Sequence, residues 1–496
     1  MPTTKRNPFQ PGYGEIPPVL AGRDQLKLEL RDRIDATVER ERHPTAIALV
    51  GPRGCGKTAL LGWTAGKAKE RKLPVIRLNK EDFAAVGDLE LTLSDQVVSP
   101  NKSHDFSVEV KDPTGQLGSV RAGYKRETEY NPVERKQKLN KLMAAASTRG
   151  LVLLIDEAHD MPAEVGRVFY DSAQAAAQDH PIMLVIAGTP DLESVLGRSG
   201  ATFAERMNTK RIGRLSWEDT SRALVEPFGG TATFDDLARG VVVRETQGYP
   251  HFIQHWGSAL WNVLARKGAT HVGHEEVKEA RKAFDQACRE LYHRRLHELD
   301  GEGMLVPVAE IAFRIGEGGT PSRRDFMAIT RKMAYARDQR EAEEKLLHTG
   351  FIWQEDIGNW QFGIPSLAAH VRREAVSMVL ERLREENALL SFRRVRSHFK
   401  RAPLLPISCL EGNLRTVLKE TGRETMVEKH LAAFSRMGLL VPDPDMSKGH
   451  VALMAPLLTE AVIEEADRAE AKPEMEPTQE PTLQTRHGPD DHAPGM

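Results

Sequence analysis

Residues 46–58 read Ala46-Ile47-Ala48-Leu49-Val50-Gly51-Pro52-Arg53-Gly54-Cys55-Gly56-Lys57-Thr58. The first five are a continuous apolar run, long enough for a buried strand and too short for a helix. The next eight fit the pattern G-x-x-x-x-G-K-[ST]. Ala59 to Lys69 then continues as a helix-like stretch. Strand, glycine loop and helix, in that order, bring backbone N–H groups together on phosphate oxygens. The glycines admit the close approach, and the helix N-terminus adds a partial positive charge. Gly51, Pro52, Arg53, Gly54, Cys55, Gly56, Lys57 and Thr58 are therefore the expected phosphate-binding residues. Lys57 is expected on the β- and γ-phosphates and Thr58 on a Mg²⁺ ion. Cys55 reads either as a small spacer or as a thiol acidified by the helix N-terminus, whose alkylation would block binding.

A second apolar run lies about a hundred residues downstream. Leu151-Val152-Leu153-Leu154-Ile155 ends in Asp156 and Glu157. Alone, an acidic pair after a buried strand could be a helix cap. Downstream of a phosphate loop it is expected to hold the metal through Asp156 and to polarise an attacking water through Glu157. Asp156-Glu157-Ala158-His159 also spells a helicase-type signature. A two-lobed helicase needs a second nucleotide-binding lobe, and no motif for one follows residue 300.

Around these two runs the pattern repeats. Val75–Leu78, Met183–Ala187 and a weaker stretch near Arg211–Leu215 are further short apolar runs separated by helix-length segments. That alternation predicts an α/β domain with a parallel sheet covered on both faces, over residues 19–216. Residues 81–131 interrupt it. Phe106–Val110 and Ser119–Tyr124 flank the turn signal Asp112-Pro113-Thr114-Gly115 and predict a hairpin insertion. Residues 1–18 read as an irregular arm and 217–298 as a small helical domain.

The chain has 496 residues, about three domains' worth. Its 69 Lys and Arg nearly balance 71 Asp and Glu, for a net charge of −2, so any nucleic-acid surface must be local. Its apolar runs are far shorter than the ~20 residues of a membrane span. No secretory leader is apparent, and the three cysteines form no metal-ligand spacing or disulfide framework. A cytoplasmic protein without membrane contact is expected.

Together these motifs resemble the AAA+ ATPases, and most of all the branch shared by origin-recognition-type ATPases, transposition ATPases and STAND signalling ATPases. The resemblance covers residues 15–298 and implies ATP and Mg²⁺ as cofactors, an α/β core and a helical lid. Val19-Leu20-Ala21-Gly22-Arg23-Asp24 resembles the segment that lines the adenine pocket, which implies nucleotide contacts from Gly22 and Arg23. Ile186-Ala187-Gly188-Thr189-Pro190-Asp191 resembles the sensor-1 region, which implies a catalytic role for Thr189. Phe203-Ala204-Glu205-Arg206 resembles the arginine-finger region, and Arg206 would reach a neighbouring subunit's γ-phosphate; Arg211 and Arg214 compete for that role. Gly248-Tyr249-Pro250 resembles the lid's Gly-x-Pro segment, with Pro250 near the adenine. It departs from classes with a sensor-2 arginine here, which implies a slow, switch-like ATPase. A homo-oligomer and an unidentified protein partner are further expectations.

Residues 301–466 carry a repeat. Glu344–Leu347, Gly350-Phe351-Ile352, Gly358-Asn359 and Pro365-Ser366-Leu367 parallel Met426–Leu431, Gly438-Leu439-Leu440, Lys448-Gly449 and Pro456-Leu457-Leu458. Helix, glycine stop, strand, turn and strand is the end of a winged-helix domain. Two α+β winged-helix-like domains, 301–375 and 376–466, are expected; two unrelated helix–hairpin segments are the alternative. Glu341, Glu343 and Glu344 on the first unit's helix would repel DNA. In the second, Ser391–Arg401 has no acidic residue. Arg393, Arg394, Arg396 and Lys400 would then form either a phosphate-contacting patch or a solvated face paired with nearby acids. Residues 471–496 are rich in Pro, Glu, Gln and His and are expected to be disordered.

Overall fold

The computed structural model describes residues 6–12, 16–42, 45–83, 93, 132–147, 150–199, 206–315, 322–333, 339–356, 359–364, 366–442 and 449–471. The expected hairpin insertion, the stretch Phe203–Glu205 and the tail beyond Ala471 lie outside them.

Five strands, β1 (Ile47–Val50), β2 (Val75–Leu78), β3 (Leu151–Ile155), β4 (Ile182–Gly188) and β5 (Asn208–Arg211), form one parallel sheet in the order β2-β3-β4-β1-β5. Alternate side chains go to opposite faces. Ala48, Val50, Leu153 and Ile155 face a layer made by α3 (Pro132–Ala146), α4 (Ala163–Asp179) and α5 (Leu192–Arg198), through residues such as Leu142, Phe169 and Leu196. Ile47, Leu49, Val152, Leu154 and Val185 face α1 (Asp24–Val38) and α2 (Lys57–Glu70), through Leu30, Ile34, Leu60 and Leu61. Burial on both faces explains why the central strands β1, β3 and β4 are apolar. The edge strands differ: β2 carries Arg77, and β5 is Asn208-Thr209-Lys210-Arg211, less buried and set just before the weaker run expected near Arg211–Leu215.

The topology sets up the site. β4 is inserted between β1 and β3. All strands run parallel, so the segments after β1, β3 and β4 emerge at one edge. That is where open α/β sheets bind ligands.

Helices α6 (Trp217–Val225), α7 (Asp236–Thr246), α8 (Pro250–Lys267) and α9 (His274–Gly301) follow, with a short parallel pair of strands, β6 (Thr233–Phe234) and β7 (His271–Val272), between them. Ser216 caps α6 by accepting from the Asp219 N–H at 3.1 Å, Pro250 opens α8 at its first position, and the Glu276 side chain accepts from Gly273 N–H at 3.1 Å to start α9. The N-terminal arm is irregular but docked. Phe9 is buried against Phe228 and so close to α8 that a Cβ at Gly257 would stand 2.2 Å from its ring.

The C-terminal region holds two helix–hairpin units. The first comprises α10 (Leu305–Ile315), α11 (Arg323–Met333), α12 (Gln339–His348) and the hairpin β8 (Ile352–Asp356) and β9 (Asn359–Phe362). Helix α13 (Leu367–Glu385) follows and runs unbroken across residues 375 and 376. The second comprises α14 (Leu389–Phe399), β10 (Leu404–Pro406), α15 (Ile407–Glu420), α16 (Val427–Arg436), β11 (Leu440–Pro442), β12 (His450–Leu453) and α17 (Pro456–Ala471), its strands forming an antiparallel sheet in the order β10-β12-β11. This arrangement is winged-helix-like. Buried Glu310 of α10 fastens the units together by accepting from the Leu457 and Leu458 N–H groups at 2.9 and 3.2 Å. A single apolar core runs from Phe9 through the lid helices to Ala466.

Candidate functional site

The loop after β1 turns on Gly54 and Gly56, at φ +76° and +95°, a backbone region costly for other residues. Helix α2 then begins at Lys57 with no side-chain cap. Its first-turn N–H groups have no intrahelical acceptor, so they are available to an anion. The Lys57 ammonium donates to the Gly51 and Pro52 carbonyls of its own loop at 2.7 and 2.8 Å. Cys55 is buried, and its Sγ lies 2.9 Å from the Pro52 oxygen.

One pocket gathers most of the residues expected from sequence. Arg53, Gly54, Cys55, Gly56, Lys57, Thr58, Asp156, Glu157, Thr189, Arg23 and Pro250 all line it. Gly22, Gly51 and Pro52 do not line it. Gly22 makes a left-handed turn at φ +67°, and Arg23 bonds the Gly213 carbonyl. Arg206 is exposed and does not line the pocket. Asp156, nearly buried, pairs with Arg77 Nη2 at 3.3 Å. Glu157 sits in the left-handed region at φ +51°, where a side chain other than glycine or asparagine is strained. A strained residue beside the phosphate loop is a common mark of a functional position.

Thr189 ends the strand between the loop and the acidic pair, and it belongs to a buried polar chain. Its Oγ1 donates to Asp191 Oδ1 at 2.5 Å, and its N–H donates to His159 Nδ1 at 3.4 Å. Burial pushes the His159 imidazole down to about 4, so it is neutral and able to accept. Asp191 Oδ2 in turn accepts from His348 Nδ1 at 2.9 Å. That hydrogen bond raises the His348 pKa above its ordinary value.

His348 belongs to the first helix–hairpin unit, which is docked on the phosphate end of the sheet. A Cβ at Gly363 would stand 2.3 Å from that of Pro52, and one at Gly350 would stand 3.3 Å from Arg53 Cγ. Arg214 Nη2 donates to the Phe362 carbonyl at 2.7 Å, and Arg211 donates to that of Gln354. Glu344 takes bonds from Ser194 and Arg198. The two arginines that compete with Arg206 are thus held by this unit's hairpin.

The lid contributes more than Pro250. The Tyr249 hydroxyl donates to the Arg53 carbonyl at 2.9 Å and lies over Gly54, where a Cβ would stand 2.0 Å from it. His251, Gln254, Leu291 and Arg295 line the same pocket, as do Gln10, Pro11 and Gly12 of the arm. The sequence reading did not single out Asp191, His348, Arg295 or the arm. Only His159 carried a readable signal, through the Asp-Glu-Ala-His string.

Away from this site, three of the four cations expected as a basic patch, Arg393 and Arg396 of α14 and Lys400 just after it, meet acids of α17. Arg393 pairs with Asp467 at 2.6 Å and Glu470 at 2.9 Å, Arg396 with Glu460, and Lys400 with Glu460 at 3.5 Å. Arg394 is exposed. No described helix is long and apolar enough to cross a membrane, and no cluster of three metal-ligating side chains occurs among the described residues.

Residues 40–196 match the family described as AAA domain. No curated protein matches the chain. Among solved structures the chain is similar to Cdc6p from Pyrobaculum aerophilum, at 15% identity over 93% of this chain and 98% of that one, with a TM-score of 0.39. It is also similar to the Orc1 protein of Aeropyrum pernix solved in complex with DNA, at 16% identity over 75% and 96% of the two chains, with a TM-score of 0.38. A third similar structure is the RuvB Holliday junction branch migration motor of Thermotoga maritima, at 14% identity over 71% and 95%, with a TM-score of 0.38.

Proposed function

From the premise that residues 40–196 are a nucleotide-binding AAA+ P-loop ATPase domain, we propose that the protein is an ATP-controlled switch whose nucleotide state is passed to its C-terminal winged-helix-like units. The observation that carries this reading is the docking of the first unit on the phosphate loop, through Gly363 on Pro52 and through the His348–Asp191–Thr189 chain.

ATP and Mg²⁺ fit the residues at hand. The uncapped start of α2 offers amides, and Lys57 holds loop carbonyls that a phosphate chain would replace. Thr58 and Asp156 would hold the metal, which supplies charge neutralisation for the phosphates. Glu157 would orient the water, and Thr189, between the loop and the acidic pair, would respond to the terminal phosphate. Thr189 shares Asp191 with His348, so a change in its hydrogen bond loosens the hold on the docked unit. Release of that unit frees Arg211 and Arg214. Exposed Arg206 is the residue proposed to reach a neighbouring copy.

Lys57→Ala is expected to abolish ATP binding in calorimetry, and Glu157→Gln to retain ATP but stop turnover. ATP is expected to increase hydrogen exchange across residues 339–362 in the Glu157→Gln protein. Exchange there that is the same with and without bound ATP would remove the coupling and leave only a nucleotide-binding domain.

A further inference from the structure

Helix α9 places two histidines four residues apart, His293 and His297, on one exposed face. Their ring centroids are 4.4 Å apart, and the two Nε2 atoms converge to 3.3 Å. Among the described residues each ring's polar partner is the other ring. That separation is the bite of a chelate. Zinc takes imidazole nitrogen at ~2.0–2.1 Å in a tetrahedral shell, so two nitrogens on one ion stand about 3.3 Å apart. Spacing of four residues on a helix is what brings two histidines to one ion.

A hydrogen bond between the rings is the competing account. It needs one Nε2 to carry a proton and the other to offer its lone pair. On an exposed face water competes for both groups, so the bond adds little. A metal ion takes both lone pairs once the donor ring adopts its Nδ1–H tautomer; both rings stay neutral and no proton is released.

The molecule supplies a contrast. Helix α8 carries a second pair at the same spacing, His251 and His255, with Nε2 atoms 3.1 Å apart. That pair is half-buried, and burial, with His255, Arg295 and Arg294 nearby, pushes the His251 imidazole down to about 4. Surroundings that reject a proton's charge reject that of a dication for the same reason. His293 and His297 are open to water, which can complete an ion's shell.

We propose that His293 and His297 form a surface chelate for a divalent transition-metal ion of the kind that prefers imidazole, such as zinc, nickel or copper, with water in the remaining positions. Neither residue lines the nucleotide pocket, so the inference stands apart from the nucleotide reading. The site lies beside the seam between α9 and α13. Tyr292 lies against His370 of α13 with ring centroids 4.9 Å apart, and Asp300 accepts from Arg382 Nη1 of α13 at 2.8 Å. A bound ion ties two successive turns of α9 together and stiffens the segment that reaches this seam.

The test is calorimetric titration of the untagged full chain with zinc chloride, in excess Mg²⁺, for the wild type, His293→Asn, His297→Asn and His255→Asn. Wild type and His255→Asn are expected to share a saturable heat for one ion, and His293→Asn and His297→Asn to lose it. Thermal melts without zinc, expected to coincide for wild type and the two α9 variants, show that the loss is not unfolding. No saturable heat in the wild type would overturn the proposal. So would heat retained in both α9 variants, or heat lost in His255→Asn. A crystal of the wild-type chain soaked in zinc chloride gives a second readout. Anomalous density between the two Nε2 atoms is expected; density only elsewhere overturns the assignment.

Discussion

The two helix–hairpin units are built alike and placed differently. In each, a helix ends at a left-handed glycine, Gly350 at φ +68° and Gly438 at φ +71°, and two antiparallel strands follow. The first turns its glycine corner into the phosphate loop. The second keeps its corner away from it; a Cβ at Gly438 would meet nothing closer than Val306 at 4.0 Å. Its basic helix closes on the acids of α17. The same local fold thus packs against the glycine-rich loop after β1 in one copy and away from it in the other. What differs is the surface each glycine faces, not the secondary structure around it.

The largest test of that difference is at Gly363, which follows the first hairpin. A Cβ there would stand 2.3 Å from the Pro52 Cβ and 2.8 Å from the Gly350 oxygen. Gly363→Ala therefore cannot dock without displacement, at a cost of roughly 1–3 kcal/mol. Hydrogen exchange should rise over residues 339–362 and stay unchanged over 427–453. Equal loosening of both units would mean that they move as one block and that the asymmetry is only apparent.

The matched glycines give a finer comparison. Gly350→Ala and Gly438→Ala each force alanine into the left-handed region, costing about 1 kcal/mol. At Gly350 the methyl also presses on Arg53 Cγ at 3.3 Å and approaches Thr189 Cγ2 at 3.6 Å. The two variants should lose similar stability in denaturant titrations, and Gly350→Ala alone should alter ATP affinity. A change of ATP affinity in Gly438→Ala would show that the second unit also speaks to the site.

Sequence reading reached the parts whose chemistry is contiguous. Ile47–Thr58 and Leu151–Glu157 each carry a strand and its candidate site residues in one string, and the glycine stops of the repeat are local signals. Parallel pairing and burial on both faces followed from the apolar β1, β3 and β4, whereas the polar edge strand β5, Asn208–Arg211, gives no apolar signal and lies before the run expected near Arg211–Leu215. The rest depends on distant residues meeting. Asp191 meets His348 157 positions later, and Arg393 meets its acid 74 positions later. For that reason the sequence favours a paired face over a phosphate patch for the basic helix without naming the acids, which only the position of α17 supplies. Phe9 fills a groove that exists only because Gly257 lacks a side chain. Arg295 sits in a long amphipathic helix where arginine is ordinary; only its burial distinguishes it.

The smallest effect is a pH dependence with opposite signs in the two units. His348 has its pKa raised by the hydrogen bond to Asp191, with Asp160 also nearby. A base stabilised in its charged form contributes fully below its unfolded value of ~6.5 and loses that contribution as pH rises through the raised folded value. Docking of the first unit should therefore weaken on the alkaline side. His159, lowered to about 4 chiefly by burial, limits the acid side: its neutral form is favoured by folding, so its contribution is lost as pH falls from ~6.5 towards 4. In the second unit, buried His430 is bonded to Ser391 at 2.8 Å, and burial lowers its pKa. Its contribution is present above ~6.5 and lost as pH falls. His348→Asn should thus cost stability near pH 6, under about 1 kcal/mol because His348 is partly solvent-screened, and little near pH 9. Each variant's loss relative to wild type, followed by thermal melts across that range, gives the sign. His430→Asn should behave the other way, with its loss largest at neutral and alkaline pH and shrinking towards pH 5. Parallel profiles for the two variants would mean that His348 is not held charged by Asp191, and the proposed link from Thr189 to the first unit would lose its charged end.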